Sequence, residues 1–303
     1  MGTTRRSFLK SSALTMAATT LFSKEIFAAF AKNGFVGIQL YSVRAQMGTD
    51  ALGTLKALSD IGYKYVEHAN YVDRKFYKFS PAEFKKVLDD HGILMHSGHT
   101  VMAKKHWDVD KNDFTDAWKY TVEDAAVVGQ KYVISPWLDQ SMRNTMDDFK
   151  RYMDVFNKSG ELCQKSGMKF GYHNHDFEFT AMLDGQKLYD LIMTHTDPKL
   201  VAQQLDMGNL YNGGAIAGDI VKQYPGRFEL MHVKDEIKSD KGNEKYESTI
   251  LGKGIVGTKE VIDLGRNSGG TSHFIIEQES YQGKTPIDCA KEDLDIMKNW
   301  GYK

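Results

Sequence analysis

Four short segments in the second half of the chain close on residues that bind divalent cations or move protons. They are Gly171-Tyr172-His173-Asn174-His175, Gln204-Leu205-Asp206-Met207-Gly208-Asn209, Met231-His232-Val233-Lys234-Asp235 and Ile275-Ile276-Glu277-Gln278-Glu279. In an extended strand, residues two apart share a face. His173 and His175 therefore project together, as do His232 and Lys234, and Glu277 and Glu279. If those faces converge, two imidazoles and two carboxylates form a mixed nitrogen and oxygen set. That set suits one Mn, Zn, Co or Fe ion better than Ca, which takes oxygen ligands alone. A single histidine at a strand end is more often a satisfied polar residue than a ligand. The coincidence of four such ends carries the metal reading, against the alternative of a metal-free sugar pocket.

What positions these residues is a repeat of short strands and longer amphipathic segments running from residue 34 onward. Strands are expected at Phe35–Tyr41, Tyr63–His68, Leu94–Gly98, Tyr132–Ser135, Lys169–His173, Val201–Asp206, Phe228–Val233 and Phe274–Glu279. β-Branched and aromatic residues favour extended backbone there. Ser80-Pro81-Ala82-Glu83 is the clearest helix start, with Ser as cap, Pro in the first turn and Glu reaching back. A second helix is expected over 113–128, with Phe114, Ala117, Trp118, Val122, Ala125 and Ala126 as its apolar stripe and Gly129 as its stop. Met146–Ser166 and Pro286–Trp300 read the same way. Eight strand-helix units define an α/β fold, the (β/α)8 TIM barrel, whose site lies at the C-terminal strand ends. A doubly wound open sheet would need a glycine-rich turn after strand one, and Gln39-Leu40-Tyr41-Ser42 is not one. Without a linker or composition shift, residues 32–303 read as a single domain.

The formal charge is −1 and no segment concentrates basic residues, which disfavours nucleic acid and leaves a small ligand as the expected partner. Arg5-Arg6-Ser7-Phe8-Leu9-Lys10, followed by an apolar stretch from Ala13 to Ala31, resembles a twin-arginine export signal. Lys24 and Glu25 interrupt that stretch, so no stable membrane anchor is expected. Residues 1–31 are read as the signal, with Ala29-Phe30-Ala31 as the cleavage site and the periplasm as the destination. Cys163 and Cys289 fall in helical segments and are read as core contacts, a bridge between them remaining open.

Leu205-Asp206-Met207-Gly208-Asn209, His232-Val233-Lys234-Asp235 and Ile276-Glu277-Gln278-Glu279 resemble the xylose-isomerase-like sugar phosphate isomerase/epimerase family over essentially residues 34–303. The resemblance implies metal ligands at His173, Asp206, His232 and Glu277, with one departure. Gly171-Tyr172-His173-Asn174-His175 places His173 where the family has a ligand glutamate. Epimerases of the family use two carboxylates as bases, and an imidazole engaged with a metal is a poor substitute. One-base chemistry therefore gains ground, with Glu277 and Glu279 as candidate bases and Lys234 or His99 as the group polarising or protonating a substrate oxygen. His175 is a further candidate for substrate contact or a second base.

Gln39, Tyr41, Glu67, Trp137 and Asn209 are expected to line a polyol pocket, with His96 nearby, although Glu67 and His96 could instead bond inside the barrel. Leu251-Gly252-Lys253-Gly254 is expected as a loop that closes over substrate. The leading expectation is a metal-dependent isomerase or epimerase acting on a non-phosphorylated sugar through an enediolate. A 3-keto-glycoside lyase or hydrolase, or a sugar dehydratase, at the same site is the alternative. A non-catalytic carbohydrate-binding barrel is the rival from another class. Homo-oligomerisation is compatible with all of them.

Overall fold

The computed structural model describes residues 34–240 and 245–302. The twin-arginine segment and its cleavage site lie outside the described residues. Eight parallel strands, β1 (Phe35–Gln39), β2 (Tyr65–His68), β3 (Leu94–His99), β4 (Tyr132–Ser135), β5 (Lys169–His173), β6 (Val201–Asp206), β7 (Leu230–Val233) and β8 (His273–Ile276), close into a barrel in sequence order. Helices α1 (Ala51–Ile61), α2 (Pro81–Asp90), α3 (Asp116–Val128), α4 (Met146–Gln164), α5 (Leu188–His195), α6 (Ala217–Gln223), α7 (Thr258–Leu264) and α8 (Pro286–Asn299) follow the strands in turn.

Local chemistry accounts for the element ends. Ser80 caps α2 with the expected reciprocal bonds to Glu83, and Gly129 ends α3 in a left-handed turn at φ 91° that a side chain would resist. The remaining differences are at boundaries. Asp113–Phe114 pairs antiparallel with Trp107–Asp108, so α3 starts at Asp116 rather than 113. Phe114 is still buried, whereas Ala117 and Ala126 of the expected stripe face solvent. Strands β1 and β8 stop at Gln39 and Ile276, which puts Tyr41 in the short 3-10 helix Leu40–Val43 and Glu277 and Glu279 on a loop of the mouth.

Buried side chains fill the space between barrel and helices, as in the wall formed by Trp118, Phe149, Phe156, Phe170 and Tyr172. Trp118 also donates its indole N–H to Ser159 Oγ at 2.9 Å, satisfying the one polar atom it buries. Cys163 and Cys289 are both free and buried, so the structure holds no bridge between them. Inside the barrel a small apolar plug of Ile134, Ala202, Leu230 and Ile275 is distinct from a polar layer built on Glu67.

Candidate active site

Register sets the site. Asp206 pairs with His232, and His173 lies level with Gln204, two residues before Asp206 on the same inward face. The central anchor is Glu67, fully buried at the end of β2. Its carboxylate accepts from Gln39 Nε2 at 2.7 Å, Gln204 Nε2 at 2.8 Å and Ser97 Oγ, and lies 2.6 Å from His232 Nε2 and 3.0 Å from His99 Nε2. Burial pushes this carboxyl up, but His99 and His232 outweigh it and hold it well below the ordinary range.

With His232 Nε2 donating to Glu67, Nδ1 is left facing Glu277 Oε2 at 3.1 Å and Asp206 Oδ2 at 3.7 Å. His173 is oriented in the same manner. Its Nδ1 meets Gln204 Oε1 at 3.0 Å, which leaves Nε2 directed to Asp206 Oδ2 at 3.9 Å and to the Asn209 amide at 3.4 Å. Asp206 Oδ1 accepts from the Asn209 backbone at 2.7 Å, whereas Oδ2 is buried without a hydrogen-bond partner among the described residues. An orphaned carboxylate oxygen facing two imidazole nitrogens is what a bound cation would satisfy. Donor atoms of Asp206, His232 and Glu277 lie within 4.8 Å of one another, as do those of His99, His173 and His232. The residues present therefore fit a divalent metal.

Charge around this group is strongly organised. Burial pushes Glu277 up, but Lys234 and His232 hold it at about 2, which suits a ligand and makes it a weak base. Burial pulls Lys234 down, yet Glu277, Asp206 and Glu279 keep its ammonium well above its ordinary value. Lys234 Nζ pairs with Glu279, lies 3.5 Å from Glu277 Oε2 and donates to Asn209 Oδ1 at 3.2 Å. Burial lowers His175, the largest of several influences, so its imidazole is neutral near pH 7.

Several expected positions change. Glu67 lies beneath the site and cannot line a polyol pocket, because it is fully enclosed by its hydrogen-bond partners, and Gln39 lies beside it. His99 is stacked on His232 at 5.2 Å with Nε2 on Gln204 and Glu67, so it braces the ligands rather than offering a free acid. His96 belongs to the opposite end of the barrel, 3.1 Å from His273 at the start of β8. Tyr41 and Trp137 stand exposed on the rim, the Trp137 ring meeting His175 in a T-shaped contact at 5.2 Å.

The Leu251–Gly254 loop, expected to close over substrate, is tied down instead. Amides of Gly252, Gly254 and Val256 donate to the Asp235 carboxylate at 2.8–3.2 Å, and Lys253 turns outward to Glu292. Gln204, Ser97 and Asn174 were not singled out from sequence. Gln204 carried a usable signal, being two residues before Asp206 on one strand.

A cleft of about 560 Å3 is lined by Arg44, Asp176, Asn209, Lys234, Glu236 and Glu279, and reaches this group through Lys234, whose Nζ is 3.5 Å from Glu277 Oε2. A closed (β/α)8 barrel with such a cleft at its C-terminal mouth is the architecture of barrel enzymes. The chain belongs to the xylose isomerase-like TIM barrel family, whose sequence model matches residues 55–300. It is similar to an inosose dehydratase of Clostridium perfringens, 27% identical over 145 residues, spanning 44% of this chain and about half (48%) of that protein. An inosose dehydratase of Clostridium beijerinckii is 26% identical over 271 residues, 80% of each chain. Among solved structures, a sugar phosphate isomerase/epimerase of Parabacteroides distasonis superposes with TM-score 0.75 at 24% identity, covering 89% of this chain and 96% of that one. The IOLI protein, solved with a zinc atom, superposes at 0.67 with 13% identity, covering 89% and 99%.

Proposed function

We propose that the protein is a metal-dependent lyase of keto-sugars or keto-cyclitols, removing a proton beside a carbonyl and expelling an oxygen substituent from the next carbon. The observation that carries this reading is the asymmetry of the site: the strand-five position is the imidazole of His173, and Glu277 is engaged by His232 Nδ1 at 3.1 Å and Lys234 Nζ at 3.5 Å rather than free to take a proton. A two-carboxylate epimerisation is thereby disfavoured, while one-base elimination remains open. The names of the sequence relatives, which are dehydratases, support the same class.

His173, Asp206, His232 and Glu277 would hold the ion. When bound, a divalent cation supplies Lewis acidity to the substrate carbonyl oxygen. Lys234, buried and kept as an ammonium, donates to the oxygen on which negative charge grows. The neutral imidazole of His175, packed against His173 and next in sequence to the cleft residue Asp176, takes the α-proton. Asn209 and Glu279 fix the Lys234 head group, and Trp137 offers an apolar face beside His175 for the sugar ring.

Aldose–ketose isomerisation or epimerisation shares the first proton transfer and is the second reading, favoured by the resemblance in fold. Incubation of metal-loaded protein with keto-glycosides and free ketoses in D2O separates the two. Release of the aglycone or of water supports elimination, and deuterium incorporation without release supports isomerisation. Export through the twin-arginine route, with the periplasm as the site of action, is part of the same proposal.

A further inference from the structure

Asp235 and Glu236 are consecutive carboxylates on the hairpin Asp235–Lys238/Tyr246–Thr249, and they meet opposite fates. Asp235 turns into the Leu251–Val256 loop and accepts four backbone amides, including that of Glu236 itself. Glu236 turns the other way, to the cleft that holds Lys234, Asn209 and Glu279. It is only 2% exposed, and its Oε2 has no hydrogen-bond partner among the described residues. A buried carboxyl oxygen that lacks a partner at the wall of a substrate cleft is placed to bond something the cleft receives. Gly208 leaves it room: a Cβ there would come within 2.8 Å of Glu236 Oε1 and 2.7 Å of Lys234 Cγ.

We propose that Glu236 is the general acid that protonates the departing oxygen of the substrate; this rests on the lyase reading above. His175 takes the α-proton, and the C–H pair becomes the C=C bond of the enolate as the carbonyl oxygen gains charge. Collapse of the enolate restores C=O, forms the conjugated C=C and breaks the β-C–O bond. The electron pair leaves on oxygen and takes the proton of Glu236, giving an unsaturated ketone and an alcohol or water. Proton return from the His175 imidazolium through solvent resets Glu236, so no oxidant or reductant is consumed. Burial raises Glu236 to about 8 against the opposing pull of Lys234, with Asp206, Glu279 and Asp235 adding to the rise, so the proton is in place at neutral pH.

The test compares wild type with Glu236→Gln, an isosteric change that keeps a neutral head group, on 3-keto-glucosides bearing a methoxide or a 4-nitrophenolate leaving group. Loss of about 10²–10⁴-fold in kcat for the methoxide with less than about tenfold loss for the nitrophenolate supports the acid role, since a good leaving group needs no proton. Equal losses on both, or none, overturn it while leaving the lyase reading intact. If wild type releases neither group, the lyase reading itself falls and this role with it. A readout independent of turnover is the infrared difference spectrum of wild type minus Glu236→Gln at pH 7. A protonated-carboxyl band supports the proposal, and a carboxylate band overturns it.

Discussion

Two imidazoles of the proposed ligand group each have one ring nitrogen held by a neighbouring oxygen, which leaves the other facing the site: Glu67 holds His232 and Gln204 holds His173. Glu67→Gln keeps the shape but removes the charge that favours this arrangement, and divalent-metal affinity should fall roughly 10–100-fold by calorimetric titration. Unchanged affinity would mean that Glu67 is only a barrel contact. Asp206→Asn is expected to abolish stoichiometric metal binding. The convergence of His232, Asp206 and Glu277 was legible in the sequence, since each sits in a strand-ending motif. Their supports were not, because Glu67 meets His232 across 165 positions of chain, a pairing fixed by barrel closure. Nor could spacing show that Glu277 would be held acidic by Lys234 while Glu236 became the buried carboxyl with a free oxygen.

At the scale of elements, the hairpin after β7 and helix α8 hold the mouth in place. Asp293 of α8 accepts from the Leu251 amide at 2.9 Å and leaves Oδ2 without a partner among the described residues. Burial pushes its carboxyl up from 3.8 to about 7. The folded protein then keeps a proton that the unfolded chain loses near pH 4, so this stabilisation is complete below that pH and is lost as pH rises toward about 7. Asp293→Asn should flatten the fall in Tm between pH 4 and 7 and match or exceed wild type above it. A steeper fall would contradict the assignment. Gly208→Ala should displace Lys234 and Glu236 and lower kcat with little change in Tm. Phe156→Ala, in the wall between α4 and β5, is expected to cost about 3–5 kcal/mol in denaturant unfolding. The strand-helix alternation was readable from periodicity, and β4, β5 and β6 fall at the expected residues. The start of α3 was misplaced because the Trp107–Phe114 hairpin buries Phe114 with the same apolar signal as a helical turn.

As a whole molecule, the chain combines a closed barrel with a charged cleft at its mouth, and among the described residues no helix is long and apolar enough to cross a membrane. If residues 1–31 direct export, replacing Arg5 and Arg6 together by Lys should trap the protein in the cytoplasm, as read by fractionation. Export unaffected by the pair would remove the twin-arginine proposal. The central claim is metal-assisted proton abstraction followed by loss of an oxygen substituent. Its most direct measurement is a proton NMR time course in D2O of a 3-keto-glycoside with the metal-loaded protein, run beside a chelated sample. Loss of the α-proton signal together with appearance of a vinyl proton and free aglycone, abolished by chelation, is the expected result. Full metal occupancy with an unchanged α-proton signal would contradict it.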